Sequence, residues 1–323
     1  MRVYAILICG ALAAAVITVA GQGADRVFTF QIRGSNVRVG VLAVDPQGNS
    51  YIAGSIYPAV PFPITDNAAQ KAQADMFVAK VDPTGDHLIW ATYLGGHQNR
   101  NPFPSRSVAN SATGIAVDPE GNVFVVGSTA TSDFPLVNAV ISSVNGAGYS
   151  GFLTKISADG SRLVYSTYLG DGSAEATTTD PAGSAYVALS MAGTVPYITT
   201  DLSAPGVRGN AVVAKFNPAG GIVFATRFGG SDTYIGRMVV DKTGQVVVAG
   251  GSTTSGLRLV QPIVRNCWTD RNTGSCRNPL VAKLDRDGRS MLLTTLLGGT
   301  TDYSIVTSLA VDSAGAVYVA GGT

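Results

Sequence analysis

Residues 115–129 read IAVDPEGNVFVVGST, and the reading of their centre, DPEG (118–121), decides the fold. An aspartate accepts hydrogen bonds from backbone N–H groups two residues on. Proline presets φ at about −65°, and a glycine three residues after the aspartate takes up the left-handed backbone that closes a hairpin. The flanks, GIAV before and VFVVGS after, are short β-branched runs bounded by turn residues, the pattern of strands. DPEG therefore reads as a hairpin turn rather than as an acidic binding loop.

The unit recurs, and internal repeats outrank any other signal for fold. Nine copies run Asp45–Gly48, Asp82–Gly85, Asp118–Gly121, Ser157–Gly160, Asp180–Gly183, Asn217–Gly220, Asp241–Gly244, Asp285–Gly288 and Asp312–Gly315. They alternate between two hairpin types. The first includes VLAVDPQGNSYIAGS (41–55) and IAVDPEGNVFVVGST, with further copies at 177–190, 238–253 and 309–323. The second includes MFVAKVDPTGDHLIWATYLGG (76–96), with copies at 152–171, 212–230 and 280–299. One of each predicts four strands in about 60–75 residues, A and B from the first type and C and D from the second. That is one blade of a β-propeller.

The expected fold class is all-β, a β-propeller of four-stranded blades with about four complete and two partial repeats. The expected repeats span about 40–99, 113–173, 175–231 and 236–301, with a partial one at 307–323. Residues 27–33 align with a D strand that has no A–C of its own, and the chain stops just after a B strand. A propeller cut short at its C-terminus is the expectation.

Composition agrees with many turns joining strands buried on both faces. Glycine is 39 of 323 residues and charged residues are 13%, against usual shares of about 7% and about 25%. A net charge of +1 provides no basic footprint for nucleic acid and no acidic one for cations. The first 24 residues differ in kind: one Arg, an apolar run from Val3 to Ala20, then small residues. They read as a secretory signal peptide, with 25–323 as the propeller domain, no span in the mature chain, and a secreted, periplasmic or cell-surface location. An uncleaved anchor stays open, because the apolar run sits at the lower edge of a spanning length. Beyond Cys9, Cys267 and Cys276 flank a Gly-containing loop, the pattern of a disulfide in an exported chain. A metal or redox pair lacks both a C-x-x-C spacing and a nearby His.

The paired hairpins resemble the SBBP repeat, a bacterial β-propeller repeat. The resemblance covers residues 27–323. It rests most on GIAVDPEGNVFVVGST with its following SDFP (114–135) and on DMFVAKVDPTGDHLIWATYLGG (75–96). The third copy departs from the pattern before Asp180, and the fourth has Lys242 where the pattern has proline. NHL-type propellers share the first hairpin and lack the second. The resemblance implies an exported propeller, often part of a larger surface protein, and transfers no catalytic residue.

The turn aspartates lack the local cage of oxygens that calcium needs; only Asp285 and Asp287 alternate, and no Glu follows. They read as structural. Lys80, Lys155, Lys215 and Lys283 each lie two residues before a C–D turn. Strands A and C run parallel, which puts each lysine at the blade end of an A–B turn aspartate. Pairing with a turn carboxylate or carbonyl is expected, with a ring of functional amines as the alternative. His87 and His97 are the only histidines and read as lone surface residues. Trp90 reads as blade core. The long B–C connections (56–74, 130–149, 191–209, 254–277) are the expected carriers of specificity. Within them Tyr57, Arg265, Trp268 and Arg271 are candidates for contacting a partner. No cofactor or metal is implied, and the oligomeric state is open. The leading expectation is a non-catalytic exported scaffold binding a protein or glycan. The alternatives are a propeller glycan lyase or hydrolase with a central-funnel site, and a structural spacer of a larger surface protein.

Overall fold

The computed structural model describes residues 4–8, 14–20, 28–33, 37–56, 61–97, 109–143 and 148–191. It further describes 193, 195–253, 256–263, 278–297 and 305–322. Every regular element among them is a strand. Near the N-terminus β1 (Tyr4–Ile8), β2 (Ala14–Ala20) and β3 (Phe28–Arg33) form a three-stranded sheet. The stretch aligned with a D strand is thus a strand, and its ladder partner is Ala14–Ala20. Among the described residues no helix is long and apolar enough to cross a membrane.

The hairpins then assemble in pairs. The first blade is β4 (Val37–Val44), β5 (Ser50–Ile56), β6 (Met76–Val81) and β7 (Leu88–Tyr93), hydrogen-bonded in that order. The second is β8 (Asn110–Val117), β9 (Val123–Thr129), β10 (Ser150–Ile156) and the first half of β11 (Leu163–Thr179). The second half of β11 opens the third blade, followed by β12 (Ala185–Met191), the two-residue β13 (Thr200–Asp201), β14 (Ala211–Phe216) and β15 (Ile222–Phe228). The fourth is β16 (Tyr234–Val240), β17 (Val246–Ser252), β18 (Asn278–Leu284) and β19 (Met291–Leu296). A final hairpin pairs β20 (Ile305–Val311) with β21 (Val317–Gly322). The A strands β4, β8, β11, β16 and β20 adjoin one another in turn along the inner edge. The fold is a β-propeller.

The cores lie between blades. Tyr51, Val78 and Trp90 of the first blade pack with Val123, Phe152 and Tyr168 of the second. Phe124 and Tyr165 of the second pack with Val187 and Phe216 of the third. B strands are buried on both faces, which explains their continuous apolar runs.

All nine motif glycines sit at φ between 67° and 92°. Gly160 shows why no other residue serves there: a β-carbon would lie 2.4 Å from the ring of Trp90 in the preceding blade. That ring's Nε1 donates to Ala158 O at 2.9 Å, on the same turn. The turn is thus both a hairpin closure and a seat for the neighbouring blade. The arrangement repeats at Gly220 over Tyr165 and Gly288 over Phe224.

Candidate ligand groove between the third and fourth blades

Each A–B turn aspartate first completes its own turn. In DPEG, Asp118 Oδ1 accepts the Glu120 and Asn122 amides at 3.1 and 2.8 Å. The other oxygen faces the blade and meets two recurrent side chains. One is the C-strand lysine. Lys155 Nζ lies 3.2 Å from Asp118 Oδ2, Lys215 3.0 Å from Asp180 Oδ2 and Lys283 3.1 Å from Asp241 Oδ2. The other side chain, which sequence reasoning missed, is an aromatic six residues after the aspartate: Tyr51, Phe124, Tyr186 and Tyr318. Lys80, Lys155 and Lys215 stand 5.0, 4.9 and 4.7 Å above the first three rings. In the first blade Tyr51 Oη donates to Asp45 Oδ2 at 2.9 Å, and Lys80 sits over the ring. Burial, then the Asp45 carboxylate, push the Tyr51 phenol well above its ordinary range. The fourth blade has Val247 at the aromatic position and keeps only the ion pair. The fixed six-residue offset was the signal available in the sequence.

The ion pairs differ in cover. Asp118 and Lys155 are nearly sealed, with side chains 1% and 5% exposed. The third blade's turns close over them: Lys155 Nζ also reaches Pro218 O at 3.5 Å, and a β-carbon on Gly183 would lie 3.5 Å from Asp118 Oδ2. The next pair, Asp180 and Lys215, is 14% and 20% exposed. A β-carbon on Gly244, the equivalent of Gly183, would meet Arg286 Cβ at 3.4 Å and no described atom of the third blade within 4 Å. Instead a groove of about 680 Å³ lies between the two blades. Asp180, Tyr186 and Lys215 line one wall, and Asp241, Lys242, Thr243, Arg286 and Asp287 the other. Burial works against charge on Asp180, but the Ser184 amide and the Lys215 ammonium outweigh it and hold the carboxyl below its usual range. Lys215 is likewise held above its usual range by Tyr186 and Asp180, against burial. A smaller groove of about 330 Å³ runs along Asp45–Pro46, Asp118–Pro119 and Asp180–Pro181.

A second recurrent feature lies on the inner strands. Each A strand carries a bulge at the fifth residue before its turn aspartate: Gly40, Thr113, Glu175, Gly236 and Thr307. These bulges knit neighbouring blades. Thr113 Oγ1 donates to Ala174 O of the third blade, and Arg237 Nε to Thr307 O at 2.9 Å. Glu175 carries a carboxyl at this position, and burial raises it above its usual range while Ser173 works the other way.

His97 N donates to Asp133 Oδ1 at 2.9 Å, whereas the His87 amide donates to Asp82 Oδ1 at 3.1 Å, so the two histidines serve separate turns. Among the described residues no group of three or more His, Cys, Asp or Glu could hold a metal. Asp285 and Asp287 do not form a cage; Asp285 Oδ1 accepts the Arg289 amide at 2.7 Å. The described parts of the B–C connections are edge caps rather than free rim loops. Thr65 N donates to Ala91 O at 3.1 Å, Ser166 N to Val137 O at 2.7 Å, Thr199 N to Ala225 O at 2.8 Å and Thr294 N to Val260 O at 2.8 Å. Each cap covers the outer edge of strand D, which would otherwise present unpaired backbone groups. Phe62 and Phe134 anchor two caps, their rings 4.1 and 4.6 Å from Phe77 and Phe152. Tyr57, Arg265, Cys267, Trp268, Arg271 and Cys276 lie outside the described residues.

Residues 89–135 match the family model described as a beta-propeller repeat, SBBP, so the chain carries that repeat from strand D of the first blade into the second. No curated protein matches the chain. Among solved structures, a Xanthomonas campestris gluconolactonase aligns at 13% identity over 73% of this chain, with TM-score 0.35. The calcium-binding protein regucalcin from Agrobacterium tumefaciens aligns at 10% identity over 74%, also at 0.35. The chain spans 64% of each of these two. A protein of unknown function from Dyadobacter fermentans aligns at 13% identity over 95% of this chain and 82% of its own, with TM-score 0.43. These likenesses carry no argument about activity.

Proposed function

We propose that this chain is a non-catalytic, exported propeller scaffold that binds a protein or glycan partner. One observation carries the reading. The acidic side chain that recurs in every blade is engaged by its own turn amides and by the blade's lysine or tyrosine, which makes it an architectural device. Export rests on the apolar N-terminal run and its small-residue flank. Mass spectrometry of the N-terminus in cell-envelope and medium fractions tests it; an intact Met1 confined to the cytoplasm sinks it.

The rival is an enzyme with a central site, and Glu175 supports it. Bulges are over-represented next to active sites, where they re-aim a side chain. Incubation with a panel of polysaccharides separates the readings. Retention without release of reducing ends is the scaffold's outcome. Release that disappears in Glu175→Gln would establish the enzyme.

A further inference from the structure

We infer that the groove between the third and fourth blades binds an acidic polysaccharide, with Lys242 and Arg286 as the contacts to its anionic groups. The inference deepens the binding-scaffold reading and rests on it.

Departures from the repeat locate the site. The second position of the A–B turns is Pro46, Pro119, Pro181, Lys242 and Ser313 along the chain, and that of the C–D turns is Pro83, Ala158, Pro218 and Arg286. Both cations fall in one blade. Their turns touch, since Arg286 Cβ is the neighbour that a β-carbon on Gly244 would meet at 3.4 Å. Both side chains are exposed and line the larger of the two grooves along the turn face. Its volume, about 680 Å³, lies within the roughly 300–1,000 Å³ typical of small-ligand sites.

Most charges along the groove already have a partner. Asp180 is paired with Lys215, Asp241 with Lys283, and Asp287 lies 3.8 Å from Arg286 Nε. Among the described residues lining the groove, Lys242 is the cation left over. Arg286 retains guanidinium N–H groups beyond that Nε contact, because one guanidinium offers five. The groove therefore calls for an anion at these two turns. An acidic peptide fits poorly. Beside each acid group it offers a single backbone N–H, whereas a sugar unit offers several hydroxyl donors for Asp180 and Asp287. An acidic sugar fits both needs: its acid group meets Lys242 and Arg286, and its hydroxyls donate to the carboxylates and to Thr243. Carboxylate and sulfate present the same anionic chemistry here.

Affinity electrophoresis through gels containing polygalacturonate, dextran sulfate, neutral dextran or poly-glutamate tests this, comparing the full chain with Lys242→Gln/Arg286→Gln. The expected result is retardation by polygalacturonate, dextran sulfate or both, weakened at least about tenfold in the double variant. Binding of only one of the two identifies the acid group, and binding of both leaves their shared anionic chemistry as what is recognised. The melting temperature should not change, because both side chains are exposed. Lys71→Gln/Arg208→Gln removes the same charge elsewhere; equal weakening there overturns the groove as the site. Retardation of wild type and groove variant alike also overturns the groove, while leaving the scaffold reading intact. Preference for poly-glutamate overturns the sugar class, and equal retardation by neutral dextran overturns the role of charge. No retardation by any polymer overturns the inference; retention of an envelope protein by the same chain would then keep the scaffold reading.

Discussion

Asp118 with Lys155 and Asp180 with Lys215 occupy the same repeat positions one blade apart. Their side chains are 1% and 5% exposed in the first pair, 14% and 20% in the second. The local chemistry is nearly identical: the same turn, the same lysine, an aromatic ring below it. What differs is the next blade. Pro218 and Gly183 close over the first pair, whereas the turns carrying Lys242 and Arg286 leave the second beside a groove. The same device is a buried structural clamp in one place and a groove wall in another. Repetition builds the scaffold, and a local break in the repeat opens the surface.

Removing one partner of a buried ion pair leaves an uncompensated charge and costs about 3–5 kcal/mol, against about 0–1 for an exposed pair. Lys155→Met should therefore destabilise by about 3–5 kcal/mol, and Lys215→Met by no more than about half of that. Urea denaturation of the two variants checks it, and equal losses would erase the distinction between sealed and open pairs. Glycines sharpen the same contrast. Gly160→Ala combines a left-handed backbone penalty with a clash against Trp90 and should cost about 2–3 kcal/mol. Gly183→Ala has room for the methyl group and should cost only the backbone part, about 1–2 kcal/mol.

The blades were legible because each hairpin needs a glycine at positive φ at a fixed offset from a turn-capping aspartate, so the requirement is written as a period. The meeting of lysine and aspartate was legible too: parallel A and C strands put Lys155 and Asp118 at one blade end, and they lie 3.2 Å apart. The cover over each pair was not legible, since it depends on how one blade leans on the next. The docking of the B–C connections on strand D was not legible for a related reason. Their Pro, Asn and Ser content signals irregular backbone, and nothing local says that Thr65 or Val137 docks on strand D. The bulges at Thr113 and Glu175 are register shifts between strands and leave no composition mark.

Acid should act on the open pair. The Asp180 carboxyl is held below its usual range in the folded state, so it contributes stability above the unfolded value of about 4. That contribution disappears as pH falls through the lower folded value. The urea midpoint should therefore fall further between pH 6 and pH 2.5 in wild type and Asp180→Glu than in Asp180→Asn. An unchanged pH slope in Asp180→Asn would mean that the pair contributes nothing beyond the turn.

The smallest effect is the most discriminating. Salt screens exposed charges that lie more than a Debye length apart, a length that shrinks from about 10 Å at 0.1 M to about 3 Å at 1 M, and it leaves buried pairs nearly untouched. In a double-mutant cycle with Asp180→Asn and Lys215→Met, the coupling should lie somewhat above the about 0.2–1 kcal/mol of fully exposed pairs in dilute buffer and shrink in molar salt. The matching cycle on Asp118 and Lys155 should be larger and insensitive to salt, because Pro218 and Gly183 exclude solvent from it. If both couplings fell together, solvent would reach the second blade's pair as freely as the third's. The groove between the third and fourth blades would then lose its distinction from the other blade junctions.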